Sequence, residues 1–228
     1  MRLIAHRGFA DVYPENTVGA VSAAGDVADL VEVDVRRCAS GQPVVVHDQT
    51  VDRVTDGTGR VDELSLSTLR ELDVLGSGEP IPTLWEVLDA ASPAAGLNVE
   101  LKDPDLARSI AERLADEPVE VLVSSFRADA LAAVASVAAD LPTALLFASD
   151  PNERLQQAVD LDCAAVHPRA DLCTPAFVER THAAGLTVNA WTVDDDATAA
   201  RLREAGVDGI IADRPDVAGG AETTGRRR

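Results

Sequence analysis

The chain has 228 residues, 46% of them hydrophobic and 26% charged, so it is neither fibrous nor disordered and is long enough for one domain with a large core. Its 39 acidic residues against 20 basic ones give a formal net charge of −19, which argues against the clustered basic face needed to bind nucleic acid or an anionic membrane. The sequence has neither a run of about 18 apolar residues nor a secretory signal, so we expect a cytoplasmic protein without stable membrane association.

The composition also bears on the surface and on the redox state. Lys102 is the only lysine, and every other basic residue is an arginine. A carboxylate-rich surface indicates adaptation to high salt, where screening tolerates its self-repulsion, although a GC-rich genome that favours arginine codons would also account for the missing lysines. The three cysteines, Cys38, Cys163 and Cys173, form no CxxC motif and are expected to be reduced rather than paired or zinc-bound.

Short β-branched runs alternate along the chain with alanine-rich stretches of helical spacing, which is typical of βα units around a parallel sheet. We predict strands near residues 3–6, 30–35, 43–47, 97–101, 119–124, 143–147, 163–167, 187–191 and 209–212. The third run follows the second too closely for a helical crossover, so it is expected to pair as a hairpin. Removing it leaves eight parallel strands, each followed by a helical segment except where a loop intervenes. An α/β fold of the TIM (β/α)8 barrel type is therefore predicted.

The loop that interrupts this alternation is expected to be a small insertion after the second strand. It spans about residues 38–82, is rich in Asp, Gly, Ser and Thr, and carries one short helical stretch near residues 66–72. Such insertions shape the mouth of a barrel. We expect residues 1–217 to form the barrel domain with this insertion, and residues 218–228, which end in three arginines, to form a disordered tail.

Charged residues recur in two of the predicted barrel strands, at positions whose side chains share one face. Glu32 and Asp34 are two residues apart, as are Glu100 and Lys102, and that spacing places each pair on the same side of a strand. Because helices cover the outer face of a barrel, these groups should point inward and be paired. Three carboxylates then suit a hard divalent cation such as Mg²⁺ or Ca²⁺. A salt-bridged polar layer inside the barrel is the alternative.

Two histidines, His6 and His47, lie at the ends of strands expected to be structural neighbours. A histidine pair can supply one general base and one general acid near neutral pH, as hydrolysis of a phosphodiester requires. Arg7 offers a planar fork for two phosphate oxygens, and Lys102 offers a compact charge that either meets a phosphate oxygen or balances the carboxylates.

Further polar and aromatic residues have more than one interpretation. Glu15 and Asn16 precede Thr17, and either Asn16 or Thr17 is expected to cap a helix, while Glu15 and Asn16 are also candidates for orienting Arg7 or a histidine. Trp191 is a candidate wall for the substrate or a core residue. His167 and His182 are weaker candidates, and His182 is expected on a helix surface.

The ordered set of motifs resembles the glycerophosphodiester phosphodiesterase family across residues 3 to about 216. The resemblance is carried by His6-Arg7-Gly8, Pro14-Glu15-Asn16-Thr17, Glu32-Val33-Asp34-Val35, Gly41-Gln42-Pro43-Val44-Val45-Val46-His47-Asp48, Asp52-Arg53-Val54-Thr55-Asp56-Gly57-Thr58-Gly59, Ile81-Pro82-Thr83-Leu84, Glu100-Leu101-Lys102, Ser124-Ser125-Phe126, Asn189-Ala190-Trp191-Thr192-Val193 and Gly209-Ile210-Ile211-Ala212-Asp213-Arg214-Pro215.

The resemblance implies a metal-dependent hydrolase that converts glycerophosphodiesters into glycerol phosphate and an alcohol. It assigns catalysis to His6 and His47, metal binding to Glu32, Asp34 and Glu100, and phosphate contacts to Arg7 and Lys102. The expected partner is a small-molecule glycerophosphodiester, with no nucleic acid, and no oligomeric state is indicated.

Three other functions remain open at this point. A phospholipase-type phosphodiesterase acting on a lipid head group would need an exposed apolar rim, and aromatic residues are only 3% of the chain. A metal-dependent aldolase or isomerase would need a Schiff-base lysine or an enolate site, for which Lys102 is the one lysine available. A non-catalytic glycerophosphodiester-binding barrel would be expected to have lost a histidine or a metal-binding carboxylate, and this chain has kept them.

Overall fold

The structure is a computed structural model that describes residues 1–218. Its strands are β1 Arg2–Ala5, β2 Leu30–Arg37, β3 Pro43–Val45, β4 Gly96–Leu101, β5 Val121–Ser125, β6 Thr143–Phe147, β7 Ala165–Pro168, β8 Thr187–Ala190 and β9 Gly209–Ala212. Its α-helices are α1 Val18–Ala24, α2 Leu66–Leu69, α3 Leu84–Ala90, α4 Ala107–Leu114, α5 Ala128–Ala135, α6 Pro151–Asp160, α7 Pro175–Ala183 and α8 Asp196–Ala205. Short 3-10 turns cover His6–Gly8, Val61–Glu63, Pro104–Leu106, Ala170–Leu172 and Pro215–Ala218.

The strands close into a barrel in the predicted way. The hydrogen-bonded order is β1-β9-β8-β7-β6-β5-β4-β2, and β1 pairs with β2 to complete the ring. Strand β3 joins the edge of β2 in antiparallel register, with Val35 opposite Val45. The TIM (β/α)8 barrel prediction and the hairpin are therefore confirmed.

One detail of the predicted alternation differs. Residues 213–218, after β9, carry only the 3-10 turn Pro215–Ala218. The predicted tail lies, apart from Ala218, outside the described residues.

The hydrophobic core lies mainly between the barrel strands and the surrounding helices, as expected where helices cover the outer face of a parallel sheet. Two large clusters of buried aliphatic side chains fill this layer, one around β2, β4 and β5 and one around β6 to β9. Inside the barrel, Ile4, Leu30 and Ile211 form a small apolar plug. Because this plug occupies part of the barrel interior, the polar side chains of the same strands lie toward the open end of the barrel.

Residues 38–82 carry β3, α2 and a small hydrophobic cluster of their own. Val51, Val54 and Leu69 are among its buried members. Helix α2 is shorter than the predicted helical stretch, and the side chain of Ser65 caps it by accepting from the backbone N–H of Thr68. This separate cluster gives the segment a rigid base from which side chains reach the barrel mouth.

The structure bears on two further expectations, one about the cysteines and one about membrane-spanning helices. Cys38, Cys163 and Cys173 are all unpaired and buried, as predicted. Within residues 1–218, no helix has the length and the apolar character needed to cross a bilayer.

Candidate active site

Three carboxylates meet at the mouth of the barrel because β2 and β4 pair in register. Asp34 lies directly opposite Glu100 in the parallel ladder, and Glu32 lies one pleat below Asp34 on the same face. One oxygen from each of the three carboxylates lies within 4.8 Å of the others, and all three residues are buried. The spacing of two residues predicted from the sequence is thus what brings these groups together.

The electrostatics of this cluster suit a bound cation. Burial, together with repulsion from Asp34, raises the pKa of Glu32 to about 8, and the same two effects raise the pKa of Glu100. Oxygen Oε1 of Glu32 is buried with no hydrogen-bond partner among the described residues. A buried oxygen of this kind costs free energy unless a partner satisfies it. Three oxygen donors beside an open cavity match the ligand preference of a hard divalent cation.

Lys102 supplies a positive charge beside the cluster. Its ammonium group contacts Glu100 and lies 2.9 Å from Asp34 Oδ1. Burial would lower the pKa of Lys102, but these two carboxylates outweigh it and the pKa is raised. For Asp34, burial would raise the pKa, but Lys102 and Arg7 lower it well below its usual range. Lys102 therefore balances part of the negative charge of these carboxylates.

His6 stands where β1 ends and is anchored from the end of its neighbouring strand. Its Nδ1 donates to Asp213 Oδ1 at 2.6 Å, and its Nε2 lies 4.0 Å from Glu32 Oε2. Burial lowers the pKa of His6, but the hydrogen bond to Asp213 and the charge of Glu32 outweigh it, so the pKa is raised. This leaves Nε2 as the nitrogen available to a ligand. Asp213 lies just beyond β9, the strand that pairs with β1, and this position at a strand end is the sequence signal for its role.

His47 follows the hairpin strand β3 and is anchored in a similar way. Its Nδ1 donates to Asp48 Oδ1 at 2.7 Å. Burial lowers the pKa of His47, and the nearby Asp34 only partly offsets that effect, so the net pKa is lowered. The two histidines therefore line one cavity with pKa values displaced in opposite directions.

Arg7 reaches the cluster from an unusual backbone turn. Arg7 and Phe9 have positive φ angles of 51° and 66°, and Gly8 between them has a φ of 76°. A Cβ atom at Gly8 would lie only 2.9 Å from that of Ala20, so the turn packs against α1 too closely for any other residue. This conformation lets the Arg7 backbone N–H donate to Glu32 Oε2 at 2.9 Å and places Arg7 Nε 3.2 Å from Asp34 Oδ2.

Glu15, Asn16 and Thr17, which precede α1, have separate roles. Glu15 Oε1 accepts from Arg7 Nη1 at 3.0 Å, one of the partners expected for it. Thr17 caps α1 by accepting from the backbone N–H of Ala20, so the cap is Thr17 rather than Asn16. Asn16 contacts both Arg7 and Asp34: its backbone N–H donates to the Arg7 carbonyl at 3.0 Å, its side-chain amide donates to Asp34 Oδ2 at 3.0 Å, and its Oδ1 accepts from the Asp34 backbone N–H at 3.2 Å. Asn16, which has a positive φ of 60°, thus meets Arg7 through its backbone and Asp34 through its side chain.

The other wall of the cavity is apolar. The cavity has a volume of about 270 Å³ and is lined by His6, Arg7, Glu32, His47, Asn98, Glu100, Lys102, Phe126, Leu146, Trp191, Thr192 and Ile211. Trp191 donates through its indole N–H to the carbonyl of His167 at 2.7 Å and meets Phe126 edge-on with ring centroids 5.5 Å apart. Sequence reasoning named Trp191 but missed Phe126 and Leu146. Only the Ser124-Ser125-Phe126 motif carried a signal for Phe126.

The two remaining histidines do not line this cavity. His167 is fully buried, and its Nε2 accepts from the Asn189 side-chain amide at 3.0 Å. His182 lies on α7 with a largely exposed side chain that contacts Asp208 at 2.8 Å. The surface position predicted for His182 is confirmed.

Comparison with known proteins identifies the relatives of this chain. Residues 6–217 match the Glycerophosphoryl diester phosphodiesterase family. A glycerophosphodiester phosphodiesterase of Caldanaerobacter subterraneus is 34% identical in an alignment of 229 positions that covers 94% of each chain.

Solved structures agree with that match. A phosphodiesterase from Oleispira antarctica in complex with the product sn-glycerol-3-phosphate superposes with a TM-score of 0.88, at 31% identity and 94% coverage of both chains. A glycerophosphodiester phosphodiesterase from Agrobacterium tumefaciens gives a TM-score of 0.83, at 28% identity and with 95% of this chain and 98% of that one covered. The family match spans almost the whole barrel, and the chain therefore belongs to the glycerophosphoryl diester phosphodiesterase family, whose members are phosphoric diester hydrolases.

Proposed function

We propose that this enzyme hydrolyses glycerophosphodiesters to glycerol phosphate and an alcohol, with a divalent cation held by Glu32, Asp34 and Glu100 and with His6 and His47 as its acid–base pair. The observation that carries the proposal is the arrangement in one cavity of a buried carboxylate cluster and two histidines, each anchored through Nδ1 by an aspartate. Family membership supports the reaction class.

The acid and base roles follow from the environment of each histidine. The pKa of His47 is lowered, which favours its neutral form, so this imidazole can accept a proton from the attacking hydroxyl. If water attacks, glycerol phosphate forms directly; if the neighbouring glycerol hydroxyl attacks, a cyclic phosphate forms as the alcohol leaves, and a water must then open it to give glycerol phosphate. The pKa of His6 is raised, which favours its protonated form, and as an imidazolium it can donate to the leaving alkoxide as the bond between that oxygen and phosphorus breaks. Asp213 and Asp48 hold the rings with Nε2 toward the substrate.

The positive groups of the site are arranged to receive the phosphoryl oxygens. A cation bound by the carboxylates would polarise the phosphoryl group and stabilise the negative charge that develops in the transition state. Arg7 presents its guanidinium beside Asp34, and Lys102 lies at the same rim, so both can contact phosphate oxygens. Glu15 and Asn16 hold Arg7 and Asp34, respectively. Trp191, with Phe126, would cover the uncharged part of the substrate.

Oxygen ligands and open positions favour Mg²⁺ or Ca²⁺ over zinc. We propose that either Mg²⁺ or Ca²⁺ is the cofactor. Titration of each ion into metal-free protein would show which one binds more tightly. We also propose that the enzyme works in the cytoplasm, because three unpaired cysteines suit a reducing compartment. Fractionation of cells that produce the chain would test that location.

Product analysis tests the reaction. Incubation with glycerophosphocholine and Mg²⁺ or Ca²⁺ should release glycerol phosphate and choline. Faster cleavage of lysophosphatidylcholine would favour the phospholipase-type activity instead, and substrate binding without any product would indicate a binding protein.

The pH dependence tests the two roles. The rate should follow a bell-shaped curve, since it needs a neutral base and a protonated acid. The residual activity of His47→Asn should lose the acidic limb, and that of His6→Asn should lose the alkaline limb. Loss of the opposite limb in each variant would reverse the assignment.

A further inference from the structure

One residue of the insertion reaches out of it toward the barrel mouth. Arg53 lies between Val51 and Val54, which are both buried in the hydrophobic cluster of the insertion. Its Nε donates to Asp48 Oδ2 at 2.6 Å. Its two terminal nitrogens donate to Glu15, Nη1 to Oε2 at 2.7 Å and Nη2 to Oε1 at 2.9 Å. One guanidinium thus binds two carboxylates from different parts of the chain.

Each of these carboxylates also holds a residue of the proposed active site. Asp48 accepts from His47 Nδ1 at 2.7 Å through its other oxygen. Glu15 accepts from Arg7 Nη1 at 3.0 Å. A continuous chain of hydrogen bonds therefore runs from His47 through Asp48, Arg53 and Glu15 to Arg7.

We propose that Arg53 is a positioning residue that fixes His47 and Arg7 relative to each other. This inference rests on the proposed function, in which His47 moves a proton and Arg7 contacts the phosphoryl group. The planar fork of an arginine suits the role because it can meet two carboxylates along two edges at once, which the point charge of a lysine cannot do.

Arg53 joins an exposed position to a buried partner. Its side chain is 48% exposed, whereas that of Glu15 is only 9% exposed, and this bidentate pair belongs to a network, so it can stabilise the fold as well as position its partners. His47 is partly exposed and follows β3; its backbone carbonyl accepts from Arg36 Nε at 2.8 Å, and its ring is held by Asp48. A displacement of the order of 1 Å in such a group costs up to about a hundredfold in rate.

Arg53 also favours the ionised form of its two partners. Burial would raise the pKa of Glu15 and of Asp48, but the hydrogen bond from Arg53 heads the effects that oppose burial, and both pKa values are lowered. Without Arg53, two like charges would stand at the rim with only Arg7 and His47 to offset them. Their repulsion would move the groups that they hold.

The chain of hydrogen bonds has two arms, one from Arg53 through Asp48 to His47 and one from Arg53 through Glu15 to Arg7. Steady-state kinetics on glycerophosphocholine at saturating metal can separate them. We expect Asp48→Asn to lower mainly kcat, because it acts on His47, and Glu15→Gln to raise mainly KM, because it acts on Arg7. Arg53→Gln should change both, with roughly ten- to a hundredfold loss in kcat/KM. Because the arms are separate, Arg53→Gln should no longer lower kcat in the Asp48→Asn background, nor raise KM in the Glu15→Gln background.

A matched control and a conservative variant complete the test. Arg70 also joins the insertion to the barrel, through Glu86 on α3 at 2.6 Å, with a similarly exposed side chain, and Arg70→Gln should leave kcat and KM unchanged. Arg53→Lys keeps the charge without the fork, so it should recover only part of the loss. It also provides the measurement if Arg53→Gln fails to fold.

Several results would overturn the inference. They are an Arg53→Gln enzyme with normal kcat and KM, an equal loss in Arg70→Gln, full activity in Arg53→Lys, and losses that simply add to those of Asp48→Asn and Glu15→Gln. A His47→Ala enzyme with normal turnover would instead overturn the proposed function. Loss of activity in His47→Ala together with a normal Arg53→Gln enzyme would refute the positioning role alone.

Discussion

The interior of the barrel has a charged half and a neutral half. Strands β1, β2 and β4 and the turns that follow them present His6, Glu32, Asp34, Glu100 and Lys102. Strands β5 to β9 present Ser124, Leu146, His167, Asn189 and Ile211, while Asp213, just beyond β9, belongs to the charged half because it contacts His6. Both halves use the same parallel ladder, so the backbone does not distinguish them. The difference lies in the side chains. The free-energy cost of burying charged groups falls mainly on one side of the barrel.

Two histidines make the contrast explicit. His6, beside Asp213 and Glu32, has a raised pKa despite its burial. His167 is buried without a carboxylate partner, and burial alone lowers its pKa to about 3. The same side chain is thus prepared for proton transfer in one half and kept neutral in the other. The predictions below test this contrast.

The largest expected effect concerns the histidines of the charged half. His6→Ala and His47→Ala should each lower turnover by at least about a hundredfold, since each removes a proton-transfer group. His167→Gln should stay within a few-fold of wild type. Turnover is measured at saturating metal, with circular dichroism to verify the fold. Near-normal turnover in either alanine variant would refute the acid–base pair.

Metal binding should change the stability of the charged half. A cation that binds only the folded chain, at a hundred times its dissociation constant, adds about 2.7 kcal/mol, or roughly 5–10 °C in melting temperature. Folding of the metal-free wild type must protonate Glu32 or bury its charge, since its pKa is raised to about 8, so the metal-free Glu32→Gln variant should melt roughly 2–4 °C above metal-free wild type. It should also lose most of the metal-induced rise. An equal rise in both proteins would place the cation elsewhere.

His167, in the neutral half, should contribute to the loss of folding stability at acid pH. The unfolded chain binds a proton at His167 below its ordinary pKa of 6.5, whereas the folded chain does not until about pH 3. The free energy of unfolding therefore falls as pH decreases from about 6.5 toward 3, by about 1 kcal/mol for each pH unit from this residue. Urea titrations at several pH values should show a shallower loss in His167→Gln than in wild type. An unchanged slope in His167→Gln would contradict the account.

Salt should have the smallest effect and should act mainly outside the site. With a net charge of −19, the surface repels both itself and an anionic substrate, and the Debye length falls to about 3 Å at 1 M salt. Melting temperature and initial rate are therefore expected to rise from low salt toward molar KCl. A maximum near physiological ionic strength followed by steady loss would reject adaptation to high salt and leave the proposed reaction intact.

The sequence was most informative where local periodicity determines geometry. The spacing of Glu32 with Asp34 predicted two side chains on one strand face, and strand pairing then set Asp34 opposite Glu100. The nine strands were predictable because a short, mainly apolar run marks each one.

Contacts between distant segments were much less predictable. The partners of His6 and Asn16, Asp213 and Asp34, depend on barrel closure and on a positive φ angle. Arg53 was visible as part of a motif, but its reach to Glu15, 38 positions away, depends on how the insertion packs. The apolar wall formed by Phe126 and Leu146 had no charge pattern to reveal it.

The central claim is that the charged half works as a metal-dependent hydrolase site. The most direct test is glycerophosphocholine turnover by wild type and Asp34→Asn after exhaustive chelation and after readdition of Mg²⁺ or Ca²⁺. We expect no turnover in the chelated enzyme, recovery in wild type, and little recovery in the variant even where its fold is intact. Full turnover after exhaustive chelation would contradict the account.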